Sequence, residues 1–349
     1  MSGTIADWPT AHGAPLGDAV IRRYPADFVV TEQLVPTEPS GGEHLWLWIE
    51  KVSSNTQWVA GQLAEFFGVR KRDVAYAGLK DRHAITRQWF SVWLPGGEKK
   101  GVLPPPDHAE FRVLQHVWQA KKIRRGMHSG NHFALILRDV KVSTHGLVQR
   151  LQKISAQGVP NYYGSQRFGI TFDARPLAIQ WSDDRFQRGM QLSAVRSFLF
   201  NLQLAQRVKQ QRWQTPVLPG WLSWRGSNAG FVADVLDERL QHLLASHELS
   251  PSAWLPGIVA DPRLAATEEE LAALTTHSIW LDQLRERRVL AARRATVLGV
   301  NQVEHRIEDD ALKLSFILPP GAFATVVLSE LFRVVDAAAR NASEPGLTT

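Results

Sequence analysis

The residues Gly78-Leu-Lys-Asp-Arg-His-Ala-Ile-Thr-Arg-Gln-Trp89 set one carboxylate, Asp81, between Lys80 and Arg82, with His83 and Thr86 close behind. Two cations beside a single acid suit a carboxylate that must stay ionised away from water, because burial raises an Asp pKa and adjacent positive charge lowers it. A free Asp, near pKa ~3.9, is already ionised at neutral pH. Neighbouring cations matter only where desolvation threatens a shift of up to roughly 3–5 units. The chemistry on offer is therefore that of a nucleophile or base withdrawn from bulk solvent. Side chains adjacent in an extended segment point to opposite sides, so Lys80 is not the obvious direct partner of Asp81.

Other reaction engines are missing. The chain has no G-x-x-x-x-G-K-[ST] loop, no G-x-G-x-x-G turn, no H-E-x-x-H pair and no G-x-S-x-G elbow. With no cysteine there are no disulfides, thiolate metal sites or sulfur nucleophiles. Glu308-Asp309-Asp310 reads as a charged loop before a strand and not as a cation site. The expectation is an activity without metal or small-molecule cofactor. No basic-then-apolar leader opens the chain and no apolar run approaches bilayer length, so a soluble, cytoplasmic protein with no membrane partner is expected.

The balance of 40 Lys and Arg against 34 Asp and Glu gives +6 and permits a polyanionic partner. Placement says more than the total. Lys121, Lys122, Arg124 and Arg125 lead into Gly130-Asn131-His132-Phe133, and basic groups feeding an aromatic suit backbone capture next to base stacking.

Elements to position these residues follow from periodicity. In residues 44–51, Leu45, Leu47 and Ile49 alternate with Trp46 and Trp48, which predicts a strand covered on both sides. Cap residues Ser53, Ser54 and Asn55 precede a helix carrying Val59, Leu63, Phe66 and Phe67 that stops at Gly68. Residues 74–81 read as a strand entering a loop, and Gln88 to Leu94, Phe111 to Trp118 and His132 to Val140 as further strands. After a helix marked by Leu147, Leu151 and Ile154 the texture changes at Gly158-Val-Pro160. Long helical patterns follow at 192–212 and 278–298, the second crowded with Arg285, Arg287, Arg288, Arg293 and Arg294. Strand character returns at Leu312, Leu314 and Phe316, before Leu318-Pro-Pro-Gly321 and a short helix. The tail 340–349 is polar and expected to be disordered.

The string Asp73-Val-Ala-Tyr-Ala-Gly-Leu-Lys-Asp81, followed by His83-Ala-Ile-Thr-Arg-Gln-Trp89, closely resembles the catalytic motif of the TruD family of tRNA pseudouridine synthases. Three more segments resemble that family in the same chain order: Arg23-Tyr-Pro-Ala-Asp-Phe28; Gly130-Asn-His-Phe133 with Asn161-Tyr-Tyr-Gly-Ser-Gln-Arg-Phe-Gly169; and Leu318-Pro-Pro-Gly-Ala-Phe323. The resemblance spans about residues 18–335. It implies an α+β fold: a pseudouridine-synthase-type catalytic domain with a largely antiparallel mixed sheet, made of residues 1–158 and 306–349 and interrupted by an inserted α-rich domain at 159–305.

The activity implied is conversion of uridine to pseudouridine in tRNA, at uridine 13 of the dihydrouridine arm, by a monomer. Asp81 matches the catalytic carboxylate. It would attack C1′, attack the uracil ring, or remove a ribose proton to leave a glycal, and the sequence does not choose among these. Phe133 matches the aromatic of a G-N-x-F motif and is the candidate wall for the loosened base, with Asn131 as the residue reading the uracil edge or bracing the loop. Phe28 and Phe323 match substrate-contacting aromatics. Arg22 and Lys80 compete to pair with Asp81; Arg22 is favoured for the pair and Lys80 for phosphate or loop support. His83 reads as structural, and Arg167 and Arg196 as phosphate contacts or domain bridges. The rival readings are a catalytically silent RNA-binding protein using the same basic cleft, and a nucleoside hydrolase, which needs a second carboxylate near Asp81.

Overall fold

The computed structural model describes residues 8–36, 41–101, 107–168, 179–227 and 229–339. The tail expected to be disordered lies outside them. The chain forms two compact units, one of Gly17–Ser143, Asn301–Pro320 and the described part of Arg333–Thr349, the other of Thr144–Val300, Gly321–Phe332 and the described part of Met1–Leu16. These units divide the chain at residues 143/144 and 300/301. The helix α2 (Thr144–Gln157) belongs with the inserted segment because the buried Arg150 on it donates to the carbonyls of Ala14 (3.0 Å) and Glu330 (2.5 Å).

The first unit holds the strands β1 (Asp18–Ile21), β2 (Phe28–Gln33), β3 (His44–Val52), β4 (Val74–Tyr76), β5 (Ile85–Trp93), β6 (Asp107–His108), β7 (Phe111–Gln119), β8 (Gly130–Leu137), β9 (Asn301–Glu308), β10 (Ala311–Leu318) and β11 (Arg333–Asp336). Among the described residues nine of these form one sheet in the order β9-β10-β8-β2-β5-β3-β7-β6, with β4 on β5. Its only parallel pair is β2 with β5, so the fold is α+β with the mixed, largely antiparallel sheet. β1 and β11 make a separate parallel pair.

The helix α1 (Thr56–Phe66) starts where the Asn55 side chain accepts from the Gln57 amide at 2.8 Å, and the chain leaves it at Gly68, whose φ of +63° suits glycine. Its stripe of Val59, Ala60, Leu63 and Ala64 packs on Leu45, Leu47, Ile49, Phe90 and Val92 of β3 and β5. The opposite face of β3 puts Trp46 with Trp89, Ala77 and Ile123. Both faces are covered, as the alternation predicts. Full burial of one such side chain is worth about 1.5–3 kcal/mol, which fixes the register of β3 on β5.

That register has a consequence at the far end of the strands. Lys51 follows Leu45, Leu47 and Ile49 on the same face and pairs across with Thr86 of β5. Thr86 pairs with Val30 of β2, Val30 with Phe133 of β8, and Phe133 with Phe316 of β10. All five are buried. One row across five strands thus begins at an ammonium and ends in aromatic packing.

In the second unit α3 (Arg185–Lys209) packs Val195 and Leu199 against Trp254, Trp280, Leu284 and Ala291. A four-stranded sheet accompanies it, in the order Gly230–Ala233, Gly220–Trp224, Leu249–Leu255, Ala292–Ala295. The single helix expected over 278–298 is corrected here. The helix is Ser278–Glu286, the chain turns at Arg288 with φ +54°, and Ala292–Ala295 is a strand whose Arg294 pairs with Ala253. Trp280, Leu284 and Ala291 do share one core, but the helix supplies the first two and the segment leading into the strand the third. Arg293 is buried on Glu270 at 2.7 Å, so the five arginines do not form one solvated helix face. Among the described residues no helix is long and apolar enough to cross a membrane.

Candidate active site

Asp81 sits in the loop between β4 and β5, and that loop is pinned at three successive points. Gln88 donates to the Gly78 carbonyl (3.1 Å), the Lys80 amide donates to Thr56 Oγ1 (3.0 Å), and Lys51 Nζ donates to the Asp81 carbonyl (2.8 Å) and to the Ser54 carbonyl (2.6 Å). Thr56 in turn donates to Gln88 Oε1 at 3.1 Å. The polar end of the β3–β5 face, continued by α1, therefore holds the motif by its backbone and leaves the Asp81 side chain free of those bonds. Burial pushes the Lys51 ammonium down from 10.5 to about 8; the charge of Asp81 opposes this and that of Lys80 adds to it. Lys51 still carries most of its charge at neutral pH.

The Lys80 side chain turns away from Asp81. Its Nζ meets Glu32 Oε1 at 2.8 Å, with the two side chains 4% and 0% exposed, and Glu32 Oε2 accepts the Trp89 amide at 3.1 Å. Lys80 is thus a support of the loop and is not available to phosphate. Its charge, after burial, is also why His128 is held down to about 4. The ring lies close to Gly78, where a Cβ would stand 3.3 Å from His128 Cε1. Since His128 has a lower pKa folded than its unfolded 6.5, the unfolded chain binds the extra proton between these values and stability falls as pH drops from 6.5 through 4. The loss expected from this one group is about 3 kcal/mol. Melting curves from pH 4 to 6.5 should fall less steeply in His128→Gln than in the wild type, the remaining slope coming from His44, His247 and His277, which burial also holds below their ordinary value; the same acid slope in both would count against it.

Arg22 is the cation that faces Asp81. Its Nη1 lies 3.8 Å from Asp81 Oδ1, the side chains being 11% and 27% exposed. The carboxylate is half-withdrawn, less sealed than the charge pattern suggests. Arg22 grips another acid more closely: Nε donates to Asp336 Oδ1 at 3.1 Å and Nη2 pairs with Asp336 Oδ2. The guanidinium also stands over the Phe28 ring, 5.1 Å from its centroid.

Phe28 meets Phe133 edge to face at 6.2 Å, and Phe133 lies 5.6 Å from Phe316. At 2% and 6% exposure the two rings form a packed floor and not an open shelf. Asn131 on β8 stands across from Glu32 of β2, and its Oδ1 is a buried atom with no hydrogen-bond partner among the described residues, as is Thr86 Oγ1. The structure thus brings Asp81, Arg22, Lys80, Phe28, Asn131 and Phe133 into one unit. Phe323 belongs to the other, where it lies 6.1 Å from Tyr163, itself covered by Arg294 at 4.0 Å. There Arg167 is bonded to Ser193, and Arg196 to the carbonyl of Leu290 at 2.7 Å. The exposed basic segment is tied to the residues flanking β4, Lys122 donating to the Arg72 carbonyl (3.0 Å) and the Gly126 amide to that of Ala77 (2.8 Å).

Lys51, Glu32, His128 and Asp336 were not among the residues singled out from the sequence. For Lys51 a signal existed: it extends the buried parity of Leu45, Leu47 and Ile49, where a charge is out of place unless it has partners. Nothing local marks Asp336.

A sequence profile of the family described as tRNA pseudouridine synthase D (TruD) matches residues 12–176 and 178–331. The chain belongs to the TruD family. The tRNA pseudouridine synthase D of Legionella pneumophila (strain Lens) is 39% identical over 338 residues, 93% of this chain and 98% of that protein. That of Pseudomonas aeruginosa (strain LESB58) is 39% identical over 340 residues, 94% of each chain. The crystal structure of a candidate TruD from Methanosarcina mazei superposes with a TM-score of 0.64 at 18% identity, over 95% of this chain and 96% of that one. That likeness concerns the fold alone. The TruD profile ends at residue 331, so the acid that holds Arg22 lies beyond the matched residues.

Proposed function

We propose that this chain is a tRNA pseudouridine synthase that isomerises uridine 13 of the dihydrouridine arm, acting as a cytoplasmic monomer, with Asp81 as its catalytic carboxylate. The observation that supports this best is the half-buried Asp81 carboxylate facing Arg22 at 3.8 Å while its loop is held by backbone atoms of Gly78, Lys80 and Asp81 and by the Lys80 side chain, none of which engages that carboxylate. Passive capture of a polyanion gains nothing from a negative charge placed there.

The reaction breaks the N1–C1′ bond, turns the uracil, joins C5 to C1′, and moves the C5 proton out while N1 regains one. Attack on C1′, attack on the ring and formation of a glycal all need an ionised acid with free lone pairs. Asn131 Oδ1 offers an acceptor for the uracil N3–H, Phe28 and Phe133 an apolar floor, and Phe323 a further aromatic contact by its match to the family motif. Lys80 and Arg22 hold the loop and the field around the acid. Extraction of a stacked uridine costs a few kcal/mol, and base–aromatic contacts return roughly 1–3 kcal/mol each.

The test is incubation of unmodified tRNA transcripts with the protein, followed by carbodiimide treatment and primer extension. A stop at position 13 is expected, and none in a transcript carrying cytidine there. Binding without any stop would leave a silent RNA-binding protein, and release of free uracil a hydrolase.

A further inference from the structure

We propose that Asp336 is a positioning residue for this reaction, holding the Arg22 guanidinium so that it faces Asp81 without capturing it. The inference rests on the reading of Asp81 as the catalytic carboxylate. Arg22 carries a planar fork of five donors. Asp336 takes one edge of it through Nε and Nη2, which leaves Nη1 3.8 Å from Asp81, beyond hydrogen-bond length.

The fold fixes this arrangement. Ile21 of β1 lies directly across from Asp336 of β11 in their parallel pair, so the residue after Ile21 is delivered beside the acid. Arg22 then leaves the strand with φ +55°, a conformation rare for a side chain of its size, and lays its guanidinium over Phe28. Asp336 Oδ1 also accepts the Ala338 amide at 3.2 Å, which fixes the carboxylate as well as the arginine.

The chemistry gives the arrangement a purpose. A bidentate arginine stabilises a carboxylate anion and occupies its lone pairs. An acid that must attack carbon or accept a ribose proton is better served by a cation nearby than by a closed fork. Two carboxylates around one guanidinium divide the work: Asp336 accepts the fork, and Asp81 keeps its lone pairs within the same positive field. Without Asp336, the half-buried Arg22 has Asp81 as its nearest remaining acid.

The experiment is single-turnover conversion of an unmodified tRNA transcript at saturating enzyme by the wild type, Asp336→Asn, Arg22→Lys and the double variant. Asp336→Asn is expected to slow conversion about 10- to 100-fold, the scale of a small misplacement at a reacting group, with tRNA affinity unchanged within about 2-fold. Because Asp336 acts through Arg22, the double variant should be no slower than Arg22→Lys. A wild-type rate for Asp336→Asn, or losses that multiply in the double variant, overturns the proposal. If Asp336→Asn melts below the assay temperature, the same cycle with Asp336→Glu decides it by the same criterion. Asp81→Asn, run alongside, separates the two failures. Full activity there removes the reading of Asp81, whereas an inactive Asp81→Asn beside an unimpaired Asp336→Asn sinks only the role of Asp336.

Discussion

Asn in place of Asp81 should reduce pseudouridine formation by at least about 10³-fold, on the scale seen when a nucleophile or its base is removed, with tRNA binding and folding almost unchanged. The substitution is close to isosteric and removes the charge and the basic lone pairs that each of the three routes requires. The structure also makes it a clean test. The Asp81 loop is secured by Lys51, Thr56 and Gln88 through main-chain atoms at Asp81, Lys80 and Gly78, none of which the substitution touches. Arg22 keeps its fork on Asp336 and loses only a 3.8 Å approach. The expected cost in stability is that of a partly exposed site, within about 0.5 kcal/mol. Thermal melting, filter binding and single-turnover conversion measure the three quantities separately. Conversion at the wild-type rate would remove Asp81 from the mechanism altogether.

What could be read from the sequence divides along a physical line. Elements set by local periodicity were legible: the strand 44–52 from its alternating Leu and Trp residues, and α1 from its caps and its Val59–Leu63 spacing. The motif loop was legible as a concentration of unlike charges. Contacts that depend on which strands become neighbours were not. Arg22 and Asp336 are 314 positions apart and Lys80 and Glu32 48 apart, and no spacing rule links either pair. The helical pattern at 278–298 failed for the same reason. Its apolar spacing is satisfied by the helix and the segment leading into the strand meeting one core, and the pairing of Arg294 with Ala253 prevails over local preference after the turn at Arg288. Charge followed suit: Arg293, one of five arginines crowded together in the sequence, is buried on Glu270, a partner 23 positions away.

The buried pair of Lys80 and Glu32 supports the second large effect. Lys80→Met should destabilise the first unit by about 3–5 kcal/mol, the cost of leaving one member of a buried ion pair alone. The Glu32 side chain is fully enclosed, and only its Oε2 would keep a partner, the Trp89 amide. Glu32→Leu should cost a similar amount, because it strands an ammonium and also deprives the Trp89 amide of its acceptor. The double variant removes both charges and leaves that amide as the remaining defect, worth about 1–3 kcal/mol. It should therefore be more stable than either single variant. Urea unfolding followed by tryptophan fluorescence gives the three differences, and a strictly additive double variant would show that the pair is not coupled. The same pair bears on chemistry. Lys80 precedes Asp81, while Glu32 stands across from Asn131 in the β2–β8 register. The ion pair thus ties the loop that carries the acid to the strand that carries the amide. The double variant, though folded, should turn over more slowly than the wild type, since the distance from acid to base edge no longer has that strut.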